Sequence, residues 1–260
     1  MGFESIRDGS AIKLFRPRAP QEGEGDGSSA PGGGGGGGKA QVITTCSVPG
    51  TAALTFDDGP YQYTFEVSKI LKDNNAKGTF FFIGCITSPA DAARVKAVYD
   101  AGHQVASHSW NHKDLATLSK DEILSEMSSV SQAIQQITGV RPAQMRPPFG
   151  SYNDAVLEAA GQIGEDVVIW NLDSGDSVGA APDESKARYN QAAQGNSPIL
   201  ALNHETHGTK DILPAAIQIL QNSGYRLVTV AECTGREPYL KSDAPPLTPV
   251  SAVCPYPVHG

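Results

Sequence analysis

Residues 52–60 read Ala52-Ala53-Leu54-Thr55-Phe56-Asp57-Asp58-Gly59-Pro60. A short apolar run stops at two acids and a Gly-Pro turn. A buried parallel strand reads this way when it delivers polar groups at its C-terminal end. Comparable segments follow at 79–83, 104–107, 144–146, 167–172, 199–203 and 226–230, several of them bounded by Gly or Pro. Helical patterns lie between them, at 64–74, 91–101, 153–163 and 212–222. Ser119-Lys120-Asp121-Glu122 is a capping box, after which Ile123, Met127, Val130, Ile134 and Ile137 recur at helical spacing and Gly139 ends the helix. Strand–helix alternation about seven times over predicts an α/β fold with a parallel sheet and helices outside it. Closing about seven such strands gives a (β/α) barrel, with an open doubly wound sheet as the alternative. In a barrel, functional residues gather at the strand C-terminal face.

The rest of the 260-residue chain bounds the reading. Of 28 glycines, 12 fall in residues 1–40, seven of them in the run 32–38. Residues 1–40 therefore read as a flexible Gly-rich tail or linker. The net charge of −8 belongs to the remainder, since residues 1–40 hold five acids and five bases. An acidic domain without a Lys/Arg run argues against nucleic acid. No apolar run approaches the roughly 20 residues a membrane helix needs. The segment after Met1 has neither a basic nor an apolar region and does not read as a signal peptide. The four cysteines, Cys46, Cys85, Cys233 and Cys254, form no CxxC pair. Two lie near the ends of the folded region, as disulfides tying termini together would, although four cysteines allow three pairings.

Five clusters carry candidate chemistry, each just past an expected strand. Asp57 and Asp58 are neighbouring carboxylates, whose mutual repulsion calls for a cation or a shared proton if both are buried. His108 and His112, in Ser107-His108-Ser109-Trp110-Asn111-His112, are four apart and face the same way on a helical turn. With one carboxylate they make a two-His, one-Asp site that leaves a position open for water. In Met145-Arg146-Pro147-Pro148-Phe149-Gly150, the arginine is set to grip a carboxylate with two hydrogen bonds, and the first free amide after the prolines belongs to Phe149. Asp176 closes the fourth cluster, 171–176. His204 ends the fifth, where a carboxylate such as Asp176 would hold the imidazole and raise its pKa. Trp110, Tyr61 and Tyr152 are aromatic candidates for stacking on sugar rings, whereas Trp170 reads as core.

The segments TFDDGP, HSWNH, RPPFG, DSGD and LALNH, in this order, resemble the polysaccharide deacetylases of carbohydrate esterase family 4, the NodB homology domain. The likeness is strongest to its fungal chitin deacetylases. It implies a distorted (β/α) barrel over residues 41–235, with the Pro-rich tail 236–260 packing on it. It implies hydrolytic N-deacetylation of N-acetylglucosamine units in chitin or its oligosaccharides, giving acetate and glucosamine. Asp57 is then the general base, oriented by Arg146, and His204 the general acid, tuned by Asp176. Asp58, His108 and His112 hold Zn2+ or another divalent ion such as Co2+. The Phe149 amide stabilises the oxyanion, and Tyr152 and Leu202 line the substrate site. The resemblance also implies Cys46–Cys233 and Cys85–Cys254 disulfides, a secreted or cell-wall location, and a monomer that spans no membrane. The same site would serve a peptidoglycan deacetylase or an acetylxylan esterase, and a non-catalytic carbohydrate-binding homologue would keep the barrel alone. One position departs from the family pattern: Ser177 follows Asp176 where the family commonly has tryptophan.

Overall fold

The computed structural model describes residues 38–84, 86 and 88–241, the side chain of His207 excepted. In chain order the elements are β1 (Val42–Ile43), β2 (Thr51–Asp57), α1 (Thr64–Asp73), β3 (Gly78–Phe82), α2 (Pro89–Asp100), β4 (Gln104–Ser107), α3 (Lys120–Thr138), β5 (Gln144–Met145), α4 (Asp154–Ile163), β6 (Asp166–Val168), β7 (Leu172–Asp173), α5 (Pro182–Gln194), β8 (Ile199–His204), α6 (His207–Asn222), β9 (Arg226–Leu227) and α7 (Val230–Thr234). All named strand pairs are parallel, in the order β1-β6-β5-β4-β3-β2-β8-β7, with β9 pairing the start of β2.

The expected strand over 167–172 is two short strands on one continuous run. Its first part, β6, pairs with β1 and β5, and its last part, β7, pairs with β8. The joint between them is also hydrogen-bonded to both sides: Ile169 N donates to Ile43 O at 2.7 Å and Asn171 N to Leu200 O at 3.0 Å. The chain itself thus links the two edges of the sheet, giving the distorted barrel. The run bends at Asn171, and its partners change across this kink.

Strand alternation sorts the core into an inside and an outside. Ala53, Phe81, Ala106, Val168 and Leu200 form the inner cluster with Ile43, Cys46, Val230 and Cys233. Leu54, Phe56, Phe80, Phe82 and Val105 face outward against apolar residues of α1, α2 and α6. Met145 and Val167 meet Ile123, Met127, Val156 and Ala160 of α3 and α4. Each such buried large side chain contributes roughly 1.5–3 kcal/mol. Every residue of β2, β3 and β4 is buried, as a strand covered on both faces requires.

The end of the barrel opposite the strand C-termini is closed by α7. The N–H of Val230 donates to Thr79 Oγ1 and that of Ala231 to Gln104 Oε1, so the first turn of α7 is capped by side chains near the starts of β3 and β4. Thr229 and Glu232 form a capping box there, which shortens the strand expected over 226–230 to two residues. A Cys46–Cys233 disulfide ties α7 to the segment after β1. A Cys85–Cys254 pair lies outside the described residues. At the N-terminal side, packing begins within the expected linker: Ala40 N donates to Leu157 O, and a Cβ on Gly161 would lie 2.0 Å from Gly38 O. At the other end, Leu240 N donates to Arg141 O and Ala143 N to Pro238 O.

Candidate active site

Strand register assembles the site. Asp57 is the partner of His204 across β2 and β8, and of Phe81 across β2 and β3. Ser107 is the partner of both Phe82 and Met145, which puts His108 beside Arg146. All five clusters therefore emerge at one face, the C-terminal ends of the strands.

Asp57 points into the barrel and is 3 % exposed. Its Oδ1 accepts from Arg146 Nη1 at 2.7 Å. Arg146 is fully buried, and the bidentate grip expected for it is not formed. Its Nη1 is shared between Asp57 and Thr55 Oγ1, while Nε and Nη2 donate to the carbonyls of Val168 and Ile169. Strand carbonyls freed by the β6–β7 kink take those donors. The guanidinium also lies 4.2 Å from the centre of the Phe81 ring. Two buried opposite charges are thereby both partnered, the condition for keeping either in a barrel interior.

Asp58 faces the mouth as well, because its backbone is left-handed (φ 69°) and breaks the strand alternation. Its Oδ1 lies 3.4 Å from His108 Nε2 and 3.2 Å from His112 Nε2. One ligand atom from each of these three residues lies within 4.8 Å of the others. Burial raises the Asp58 pKa, but hydrogen bonds from the two histidines outweigh it and hold the carboxyl well below the usual range. Nδ1–H of His108 donates to Arg146 O at 2.7 Å, which leaves Nε2 as the ring nitrogen facing the space shared with Asp58 and His112. A ring nitrogen fixed this way is the arrangement of a metal-binding histidine. The donor set, the short mutual distances and the fixed tautomer fit a divalent metal.

The two histidines do not reach each other on a helical turn. Residues 108–113 form a loop in which Ser109 (φ 66°) and His112 (φ 51°) are both left-handed. Phe149 (φ 62°) is the fourth left-handed residue here, and its 69 % exposed ring packs edge-on to His112, centroids 4.8 Å apart. Four of the six non-glycine residues of this kind among the described residues thus surround one site. Such backbone persists only where neighbouring structure over-determines it, most often at functional positions.

His204 has its own counter-charge. Its Nδ1–H donates to Asp176 Oδ1 at 2.8 Å, and its backbone N–H to Asp176 Oδ2 at 2.7 Å. Thr209 Oγ1, on α6, donates to the same Oδ2. Burial lowers the His204 pKa, but the Asp176 hydrogen bond and the surrounding carboxylates raise it overall, to about 9. Asp176 stays below its ordinary value because these donors outweigh its own burial.

Of the remaining expected residues, Leu202 faces inward two residues before His204. Tyr152 is half-buried against the α3–α4 core. Trp110 is core rather than a sugar platform, being 8 % exposed and packed among apolar side chains. Trp170, expected in the core, is instead only partly buried, with Arg146 5.5 Å from its ring. Two buried acids next to the site, Glu126 and Glu205, have no role in the sequence reading. Glu126 of α3 accepts hydrogen bonds from the loop 108–113. Glu205 lies under the Gly59 turn, where burial pushes its pKa up to about 8 against the hydrogen bonds from Thr64 and Tyr61. The available signal for Glu126 was an acid inside the apolar stripe between Ile123 and Val130.

Residues 45–168 match a family model described as polysaccharide deacetylase. A chitin deacetylase of Pestalotiopsis sp is 38% identical over 204 residues, which cover 75% of this chain and 67% of that protein. The chain belongs to the polysaccharide deacetylase family. Among solved structures of the family, the chitin deacetylase from the fungal pathogen Colletotrichum lindemuthianum matches with a TM-score of 0.73 at 32% identity, covering 78% of this chain and 96% of that one. A peptidoglycan-N-acetylglucosamine deacetylase of Listeria monocytogenes is 34% identical over 193 residues, and this polysaccharide deacetylase chain spans 39% of its length. Asp176, Leu202 and His204 lie beyond residue 168, outside the span of the family model.

Proposed function

We propose that this chain is a metal-dependent chitin deacetylase. It hydrolyses the N-acetyl group of N-acetylglucosamine units in chitin or chitin oligosaccharides, releasing acetate and leaving glucosamine. The observation that carries this reading is the placement of Asp57 and His204, each with a private counter-charge, beside the Asp58–His108–His112 triad. The likeness to fungal chitin deacetylases supports the substrate.

Asp58, His108 and His112 would hold the ion, and imidazole with carboxylate suits zinc or another divalent ion such as cobalt. Such an ion, when bound, polarises an amide carbonyl and lowers the pKa of water toward neutrality. Asp57, with Oδ1 held by Arg146, takes a proton from the attacking water on its second oxygen, Oδ2. The Phe149 amide donates to the developing oxyanion. His204 carries a proton on Nε2, because Nδ1 is committed to Asp176, and gives it to the departing amine nitrogen. One proton is taken up and one delivered, so the pair is reset by proton exchange with solvent. Leu202 and Tyr152 face the substrate.

The catalytic unit is residues 41–235, between the Gly-rich segment 1–40 and the Pro-rich segment 236–260. The disulfide suits an oxidising compartment, in keeping with a secreted or cell-wall enzyme. Acetate release from N-acetylglucosamine oligomers, peptidoglycan and acetylxylan tests the substrate. The highest kcat/KM is expected on the chitin oligomers, and a higher value on peptidoglycan or acetylxylan would overturn the assignment.

A further inference from the structure

The histidine loop is an unusual support for two converging ligands, because it is neither helix nor strand and carries two left-handed residues. Its first half is tied to the barrel. The N–H of His108 donates to Phe82 O at 2.9 Å and its ring to Arg146 O. Gly84 N donates to Ser109 O at 2.8 Å, a close approach for which a side chain leaves no room: a Cβ on Gly84 would lie 2.3 Å from the Trp110 ring.

The second half, which presents His112, rests on Glu126. Its Oε2 accepts from Trp110 N at 3.0 Å and Asn111 N at 2.7 Å, and its Oε1 from Asn111 Nδ2 at 2.8 Å. Lys113 Nζ lies 3.4 Å from Oε1. The carboxylate is 5 % exposed and rises from the middle turns of α3, a helix that also packs on the barrel through Ile123 and Met127. Hydrogen bonds to a buried charged acceptor are about twice as strong as neutral ones. Glu126 therefore substitutes for the hydrogen-bond ladder that a loop of this shape lacks.

We propose that Glu126 is a positioning residue for the metal triad: it fixes the loop 108–113 so that His112 converges with His108 on Asp58. This rests on the reading of the triad as a metal site. Loss of Glu126 frees two backbone donors in the turn that carries His112, while the anchors of His108, Asp57 and His204 remain.

The test is zinc affinity of the metal-free protein, measured by competition with a chromophoric chelator, in the full chain and in Glu126→Ala, Glu126→Gln and His108→Ala. Support for a first-coordination ligand is typically worth about 10–100-fold in metal affinity, and Glu126→Ala should lose that much. Glu126→Gln keeps an acceptor oxygen but turns an amide toward Asn111 and Lys113, so it should fall between Glu126→Ala and the unsubstituted chain. The visible spectrum of the cobalt-loaded protein should change in both. With saturating metal, kcat should recover in Glu126→Gln with KM unchanged. If His108→Ala binds zinc as the unsubstituted chain does, the metal reading itself fails. If His108→Ala loses zinc while folded Glu126→Ala and Glu126→Gln bind it within about twofold of the unsubstituted chain, the positioning role is wrong. Should Glu126→Ala not fold, the affinity of Glu126→Gln decides: a loss supports the role, and no loss overturns it.

Discussion

Asp57 and His204 are register partners on adjacent parallel strands, and each is bonded to a different buried counter-charge: Asp57 to Arg146 at 2.7 Å, His204 to Asp176 at 2.8 Å. A carboxylate and an imidazole so close would otherwise pair with each other. The two separate counter-charges keep them apart as a proton acceptor and a proton donor. Replacing Asp57 by Asn removes the acceptor and keeps the shape. We expect kcat to fall by about 10²–10⁴-fold with zinc still bound, read by acetate release alongside metal analysis.

The Arg146–Asp57 pair also has a stability signature. Arg146→Met leaves a carboxylate buried without a partner, which costs about 3–5 kcal/mol. Adding Asp57→Asn removes that charge and should restore part of the loss without restoring turnover. Chemical denaturation of the two single variants and the double variant measures the coupling. Independent, additive losses would contradict the ion pair.

The alkaline limb of activity should belong to His204. Its pKa is raised to about 9, so the proton it donates is present at neutral pH and lost as pH rises through that value. Asp176→Asn removes the hydrogen bond that does most to raise it. The alkaline limb of kcat/KM should then move to lower pH, while the acid limb stays in place. The sign for stability is the same. A histidine whose pKa is raised on folding from 6.5 stabilises the fold fully below 6.5 and loses that contribution as pH rises through about 9. An alkaline limb unmoved in Asp176→Asn would place the donor elsewhere.

The Cys46–Cys233 bond closes a sequence separation of 187 residues. The double serine variant should lose about 3–5 kcal/mol and about 10 °C of Tm, by calorimetry. The site is at the other end of the barrel, so kcat at 25 °C should be unchanged. A fall in kcat without a fall in Tm would mean that α7 communicates with the site.

Much of this is legible in the amino-acid sequence. The strand ends, at Asp57, Ser107, Met145 and His204 in the structure, could be placed to within one residue because buried parallel strands are short apolar runs that stop abruptly. Polar residues at those stops are what a barrel presents at one face. What was missed has physical reasons. The helix Pro182–Gln194 buries only Ser185, Tyr189 and Ala193, too few apolar residues to show a stripe. The run 167–172 looks like one strand because all its residues are apolar or amide-bearing, and nothing local marks the kink that lets it serve two neighbours. The histidines at 108 and 112 suggested a helical turn because spacing of four is the helical signature. A loop with left-handed Ser109 and His112, hydrogen-bonded to Glu126 through Trp110 and Asn111, brings the two rings together by tertiary contacts, which spacing cannot reveal. Trp110 and Trp170 exchanged their expected places because an aromatic ring beside polar residues reads the same whether it is covered by Gly84 or open beside Gly150.

The central claim is metal-dependent amide hydrolysis with Asp57 as base. It is tested most directly by acetate release from N-acetylglucosamine oligomers of defined length, by the metal-free protein, the same protein with zinc restored, and zinc-loaded Asp57→Asn. The account predicts release only on restoring zinc to the unsubstituted chain, and at least about 100-fold slower release from Asp57→Asn. Equal rates with and without metal, or a near-normal rate for Asp57→Asn, would contradict it.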